Sequence, residues 1–260
     1  TCALPIYRQR KYFDYGRGVS MFACSKKTSQ EHIDWLKEKG LFDYAFTYAP
    51  FDEHPNDEVP EVVKWAKEWK AESEIPILDC FYGSNVEPLF GLVDIWLGQS
   101  PTQDWAKERK KKGDRFIAVN QPLIWFIESE FTPGRAEFWN DFVIGYDGRY
   151  VYSMVRWSKN IWEKNWTSGN MMGCVVYPGP TTGIASSTRL ETMRDGVEDY
   201  DYLFLLREAV NADKGLDEAL ARAREILANK EIKAAIATPK KLHAMRNEVA
   251  DLLDELLHVK

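Results

Sequence analysis

Short apolar runs, rich in β-branched and aromatic residues, alternate with amphipathic helical stretches over most of this 260-residue chain. This alternation is typical of βα units, in which a helix crosses over between two parallel strands. The predicted strands are residues 19–24, 42–51, 75–82, 93–98, 115–119 and 150–157. We therefore predict an α/β fold of the (β/α)8 barrel type, for which about 250 residues is a usual length.

Polar residues with the spacing of helix caps precede the first predicted helices. Thr28 and Glu31 have the spacing of a capping box before a helix at residues 32–39. Asn56 or Asp57 is expected to cap the next helix, because their short polar side chains can accept from its first free N–H groups. The other helices predicted in this part of the chain are residues 105–112 and 135–144.

The last quarter of the chain has a purely helical periodicity of apolar residues. The three helices predicted there begin near Leu190, at residue 216 and after Thr238, which precedes Pro239. We accordingly divide the chain into a catalytic barrel at residues 1–210 and a helical extension, packed on the barrel, at residues 211–260.

Composition and charge exclude several classes of function. A net charge of -6 argues against a partner of duplex nucleic acid, because phosphate contacts need a basic surface. No apolar run approaches the roughly 20 residues that span a bilayer. The four cysteines form no CxxC pair and the four histidines form no cluster with metal-ligand spacing, so the sequence predicts no metal and no cofactor. Aromatic residues make up 13% of the chain, which suits either core packing or stacking against sugars.

Paired carboxylates are the remaining candidates for chemistry. Asp-Glu dipeptides begin at residues 52, 57, 217 and 254, and the last three fall on predicted helices. Asp52 and Glu53 alone follow a buried strand, at the end where barrels of this type carry their catalytic residues. Either a structural role, as a loop cap or salt bridge, or a catalytic role is compatible with this position.

Several segments closely resemble sequence signatures of glycoside hydrolase family 123 and of related uncharacterised barrel proteins. The longest begins at Ser187 and reads STRLETMRDGVEDYDYL, after a VYPG segment that ends at Gly179. Gly134 begins a GRAEFW segment and Tyr146 a YDG segment, both similar to that family. The FDEHP segment from Phe51 resembles the family's DEP strand end with one residue, a histidine, inserted. The charged residues of the long signature are expected to form a structural ion-pair network.

This resemblance implies a retaining β-N-acetylgalactosaminidase, or N-acetylhexosaminidase, that acts on glycans or glycolipids through an oxazoline intermediate. The acetamido group of the substrate would then be the nucleophile, and the enzyme would need no second carboxylate across the sugar. Glu53 would be the general acid, a role that requires a protonated carboxyl group and is favoured by desolvation. Asp52 would stay ionised, orient the acetamido group and stabilise the positive intermediate. The resemblance also suggests an extracellular or periplasmic location.

Side chains at the ends of other predicted strands are expected to line the substrate site. These candidates are Tyr48, Asp79, Tyr82, Trp96, Gln99, Trp125, Tyr152 and Trp157. The last predicted strand departs from the family's LYWxxNxW pattern, with Tyr152 in place of a tryptophan and Val155 in place of an asparagine.

Two other functions remain open on the sequence. A conventional retaining glycosidase could pair Glu53 with a distant carboxylate such as Glu128 or Glu130, and would act on sugars without an acetamido group. A catalytically silent barrel that binds glycans or a partner protein is the third hypothesis.

The count of strands bears on the completeness of the barrel. In glycosidases with this mechanism the strand that carries the paired carboxylates is the fourth, whereas one convincing strand, residues 19–24, precedes that strand here. Either residues 1–18 contain two degenerate strands, or the chain is the C-terminal portion of a larger enzyme. In the second case a missing N-terminal segment or a partner chain would complete the barrel, since open sheet edges are a liability.

Overall fold

The computed structural model describes residues 22–24, 28–119, 131–151, 175–179, 183–213, 216–228 and 230–257. By packing, the chain divides into two compact units, Thr1–Ile117 and Ala118–Lys260. The functional division predicted at residue 210 stays a prediction. Among the described residues, no helix is both long enough and apolar enough to cross a bilayer.

The first unit is built on five parallel strands that form a curled half-barrel. The strands follow one another in chain order, and each neighbouring pair is parallel. They are β1 (Phe22–Ala23), β2 (Ala45–Tyr48), β3 (Ile77–Cys80), β4 (Ile95–Leu97) and β5 (Arg115–Val119). The α/β fold is therefore confirmed, and the half-barrel is consistent with an incomplete barrel, whereas the described residues do not form a full (β/α)8 barrel.

Helices α1 (Gln30–Glu38), α2 (Val59–Glu72) and α3 (Asp104–Lys111) connect these strands. The apolar faces of α1 and α2 pack with β2 and β3 in one cluster, which includes Leu36, Ala66 and Ile77, all with no exposed surface. All four residues of β3 are buried, as expected for a parallel strand that is covered on both faces.

Two of the predicted helix caps are wrong. The N-cap of α1 is Ser29, whose hydroxyl accepts from the backbone N–H of His32 at 3.3 Å, while the side chain of Thr28 hydrogen-bonds with the thiol of Cys24. Residues Asn56–Glu58 form a 3-10 turn, and α2 begins after it without a side-chain cap. The amide of Asn56 is instead used by the loop after β3, which is described below.

The second unit is mainly helical. It contains α4 (Phe131–Ile144), β6 (Gly148–Tyr150), an antiparallel hairpin of β7 (Tyr177–Pro178) and β8 (Ile184–Ala185), α5 (Thr188–Asn211), α6 (Asp217–Leu227), α7 (Lys230–Ala235) and α8 (Pro239–Leu257). The predicted second helix of the C-terminal region, residues 216–229, ends at Leu227, and the short helix α7 follows it. Thr238 does cap α8, since its hydroxyl accepts from the N–H of Lys241 at 3.4 Å.

The long signature provides ion pairs within the second unit, as its charge pattern predicts. Asp199 of α5 is 1% exposed, and its carboxylate accepts from the guanidinium of Arg135 at 2.6 and 2.8 Å and from the indole of Trp139 at 2.7 Å. These contacts fasten α5 to α4. Arg194, by contrast, is mostly exposed and pairs with Glu191 at 2.6 Å, an arrangement that contributes little to stability.

Candidate active site

The chain leaves the sheet directly after β2 and returns to it a few residues later. Tyr48 is aligned with Leu78 of β3, and His54 forms the next described bridge, with Phe81. Six residues separate Tyr48 from His54, whereas three residues separate their partners Leu78 and Phe81. The segment after β2 therefore has three extra residues, which protrude from the sheet. We call residues 50–53 the excursion. It is a large bulge at the carboxyl end of a parallel strand, a position at which bulges often aim functional side chains.

Asp52 and Glu53 lie on this excursion, and both are exposed. Glu53 has a backbone φ of 54°, in the left-handed region that costs a non-glycine residue about 1 to 2 kcal/mol. Such a conformation persists only where the surrounding structure holds it, and it is enriched at functional sites. The strained residue is therefore the predicted general acid, and the strain comes from the geometry of the excursion.

Tyr48 holds the carboxylate of Asp52. Its hydroxyl donates to Asp52 Oδ1 at 2.6 Å, and the thiol of Cys80 lies near it. Burial raises the pKa of Tyr48 strongly, and the hydrogen bond and charge of Asp52 raise it further. The phenol therefore stays protonated at any physiological pH and remains a donor, which fixes the direction of the Asp52 carboxylate.

Tyr82 stands on the loop after β3, two residues beyond Cys80. Its side chain is the most exposed of the tyrosines in the described first unit, at 53% for the residue. Burial of the phenol raises its pKa to about 12, and the nearby Cys80 thiol and the carboxylates of Glu53 and Asp52 add to this effect. The Tyr82 hydroxyl is thus close enough to the paired carboxylates to sense their charge, while much of the residue stays open to solvent.

The loop that carries Tyr82 is held from two sides. Asn56 Oδ1 accepts from the backbone N–H groups of Ser84 and Asn85, both at 2.9 Å. Gln99, after β4, donates from its side-chain amide to the carbonyl of Phe81 at 2.6 Å. Because these bonds use the backbone of the loop, they fix the position of Tyr82 without occupying its ring.

Gly83 is required by the same arrangement. A Cβ atom at this residue would lie 2.3 Å from Asn56 Oδ1 and 2.4 Å from two ring atoms of Phe81. We expect Gly83→Ala to destabilise the fold by about 1 to 3 kcal/mol, the usual cost of overpacking, because neither neighbour can move without breaking a contact. Chemical denaturation measures this change. Asn85→Ala, in the same loop, adds no atoms there and should leave the free energy of unfolding within about 0.5 kcal/mol; equal effects of the two variants would contradict the packing argument.

A buried ion pair lies where the chain returns to the sheet. The side chains of His54 and Asp79 are both 0% exposed, and His54 Nε2 is 2.9 and 3.1 Å from the two Asp79 oxygens. The imidazole also stacks on the ring of Phe81 with centroids 4.8 Å apart. Burial lowers the pKa of His54, but the hydrogen bond and charge of Asp79 outweigh it, so the pKa is raised overall. The pair therefore stabilises the fold below the ordinary histidine pKa, and this contribution is lost as the pH rises through the raised value.

The structure brings together four of the predicted site residues: Tyr48, Asp52, Glu53 and Tyr82. Asp79 and Gln99 lie beneath them, buried and bonded to protein groups. Trp96 is 0% exposed and donates its indole N–H to Asp114 at 2.7 Å, so it belongs to the core and has no free face for a ligand. The remaining residues predicted at the site or as a second carboxylate lie outside the described residues: Trp125, Tyr152, Trp157, Glu128 and Glu130.

Sequence reasoning missed three residues that shape the site. Cys80 is a buried free thiol between the two tyrosines, and its pKa is raised by burial. The sequence predicts that Asn56 caps a helix, whereas its amide binds the loop after β3. The one sequence signal for the role of His54 is its insertion directly after two carboxylates.

The fold resembles that of a solved glycoside hydrolase. The structure of a family 123 glycoside hydrolase from Clostridium perfringens, studied for glycolipid glycan hydrolysis, superposes with a TM-score of 0.53 and 14% sequence identity. The match covers 87% of this chain and 43% of that chain, so this chain spans less than half the length of its structural neighbour. No family model matches the sequence, and no curated protein is similar to it. The similarity supports the predicted resemblance at the level of the fold.

Proposed function

We propose that this chain is a retaining glycoside hydrolase that removes β-linked N-acetylgalactosamine, or another N-acetylhexosamine, from glycans or glycolipids with the help of the substrate's own acetamido group. The observation that carries this proposal is the excursion after β2, which presents Asp52 and Glu53 side by side, with Asp52 held by Tyr48. The fold of the family 123 neighbour supports the same class of reaction.

Adjacent carboxylates suit this mechanism better than a conventional one. A conventional retaining pair must stand on opposite sides of the anomeric carbon, with the carboxyl groups about 5 to 5.5 Å apart. Neighbouring residues on one loop approach a sugar from the same side. The left-handed backbone of Glu53 turns the chain between the two residues, so that their side chains can reach two different atoms of one substrate.

Each carboxylate has one role in the proposed reaction. The acid form of Glu53 gives its proton to the glycosidic oxygen as the bond from that oxygen to the anomeric carbon breaks. The acetamido carbonyl oxygen forms a bond to the anomeric carbon, and Asp52 accepts a hydrogen bond from the acetamido N–H as positive charge develops there. The carboxylate of Glu53 then takes a proton from water, whose oxygen attacks the anomeric carbon and releases the acetamido group unchanged.

Tyr48 and Tyr82 support this geometry in different ways. Tyr48 preorganises Asp52 with a 2.6 Å hydrogen bond, so little energy is needed to orient the carboxylate during the reaction. Tyr82 offers a partly exposed ring beside the carboxylates, where an apolar sugar face can stack.

The experiment compares an aryl β-N-acetylgalactosaminide with the aryl β-galactoside that lacks the acetamido group. We expect the 260-residue chain to hydrolyse the first and not the second, to release the β-anomer first by proton NMR, and to be inhibited by a thiazoline mimic of the oxazoline. Equal cleavage of both glycosides, without thiazoline inhibition, would instead support a conventional retaining glycosidase. Measurable glycan affinity without turnover would support a binding barrel.

A further inference from the structure

We propose that His54 and Asp79 are positioning residues that hold the general acid in place by anchoring the point at which the excursion returns to the sheet. The inference rests on the proposed function of Glu53, which His54 directly follows. Neither residue is placed in contact with the substrate, since both side chains are fully buried.

The two ends of the excursion are held differently. At its start, the N–H of Ala49 donates to the carbonyl of Leu78 at 2.8 Å, a normal ladder bond. At its end, the N–H of Tyr82 donates to the carbonyl of His54 at 3.4 Å, which is long for a backbone hydrogen bond. The side chain of His54 supplies the missing restraint through its bonds to Asp79 and its stacking on Phe81. The return point thus depends on side-chain contacts more than on the backbone ladder.

Asp79 is a firm anchor because it lies within a strand. It is the third of the four residues of β3, aligned with Trp96 of β4 and with no exposed surface. Because one peptide bond joins Glu53 to His54, a displacement of His54 from Asp79 also displaces Glu53. Misplacement of a catalytic group by about 1 Å can cost about a hundredfold in rate, so a small shift at the return point is enough to impair proton donation.

Acidic groups near His54 stabilise its protonated form and so strengthen its interaction with Asp79. The charged groups that face His54 are Asp79 of β3 and Glu58 of the turn before α2, both acidic. Removing one partner of a buried ion pair leaves the other without compensation, which is why such substitutions are strongly disruptive. Among the described residues, Glu58 is the other acidic group that acts on His54, and it is exposed, whereas Asp79 is fully buried.

The test uses Asp79→Asn and His54→Gln, with Asp114→Asn as the matched control. Asp114 is also a buried carboxylate of the first unit, paired with Arg109 at 2.8 Å, but it contacts α3 and β4 rather than the excursion.

For a substrate with a poor leaving group we expect kcat to fall at least tenfold in Asp79→Asn and His54→Gln. For an activated leaving group, which needs little protonation, we expect a fall of less than threefold, with KM nearly unchanged. Asp114→Asn should change both rates by the same factor.

A general loss of folded protein would lower kcat equally for the poor and the activated leaving group. The inference is therefore overturned if the ratio of these two kcat values in Asp79→Asn and His54→Gln is the same as in the parent. Amide hydrogen exchange gives a second readout that does not depend on activity. We expect the amide of Tyr82, which donates to the carbonyl of His54, to exchange at least tenfold faster in Asp79→Asn, relative to the amides of α2. Asp114→Asn should leave the exchange of the Tyr82 amide unchanged. If the parent chain hydrolyses no glycoside, the proposed function is wrong. If hydrogen exchange at the return point is unchanged in Asp79→Asn, the positioning role alone is wrong.

Discussion

Glu53→Gln should lower kcat for an aryl β-N-acetylgalactosaminide with a poor leaving group by at least about a hundredfold, because the amide cannot donate the proton that the departing oxygen requires. An activated leaving group departs without protonation, so for that substrate the loss should be about tenfold or less. Glutamine has nearly the same shape as glutamate, and the left-handed backbone at this position should tolerate either residue equally. The melting temperature should therefore stay within a few degrees of the parent value.

A steady-state comparison of the two substrates measures this effect, with Glu218→Gln as the control. Glu218 is the second residue of another Asp-Glu dipeptide and lies in the first turn of α6. Its substitution removes the same charge from the chain and should leave both rates unchanged. If Glu53→Gln hydrolyses both substrates as fast as the parent, Glu53 is not the general acid.

The sequence predicted the sheet well because buried parallel strands consist of almost continuous apolar residues. β5 occupies the predicted residues 115–119, and each of the other predicted strands of the first unit contains a shorter observed strand. The position of the paired carboxylates followed from the rule that parallel strands end at one edge of the sheet. Tyr48 and Tyr82 were predicted by the same rule, one before the carboxylates and one at the next strand end.

The contacts that turn this edge into a candidate site join residues far apart in sequence, and local patterns do not contain them. The amide of Asn56 has the chemistry of a helix cap, yet it binds backbone groups 28 and 29 residues away. His54 meets Asp79 at a separation of 25 residues, and the indole of Trp96 meets Asp114 at a separation of 18. In each case the competing partner is available only after the strands have paired.

Asp52→Asn tests the other half of the mechanism, and its effect should not depend on the leaving group. The acetamido oxygen must attack the anomeric carbon in the first step for every substrate, and the positive charge that develops on the acetamido nitrogen needs a carboxylate beside it. We therefore expect kcat to fall by about a hundredfold or more with both poor and activated leaving groups.

Tyr48→Phe is the matched control for this prediction, because it keeps the carboxylate and removes the 2.6 Å hydrogen bond that orients it. Its expected loss is smaller, about tenfold, since the charge remains while its direction is no longer fixed. The two substitutions at the carboxylates then differ in pattern: Glu53→Gln should affect poor leaving groups selectively, and Asp52→Asn should affect all of them. An unchanged kcat in Asp52→Asn would contradict assistance by the acetamido group, because that step requires a carboxylate at residue 52 to stabilise the positive charge on the acetamido nitrogen.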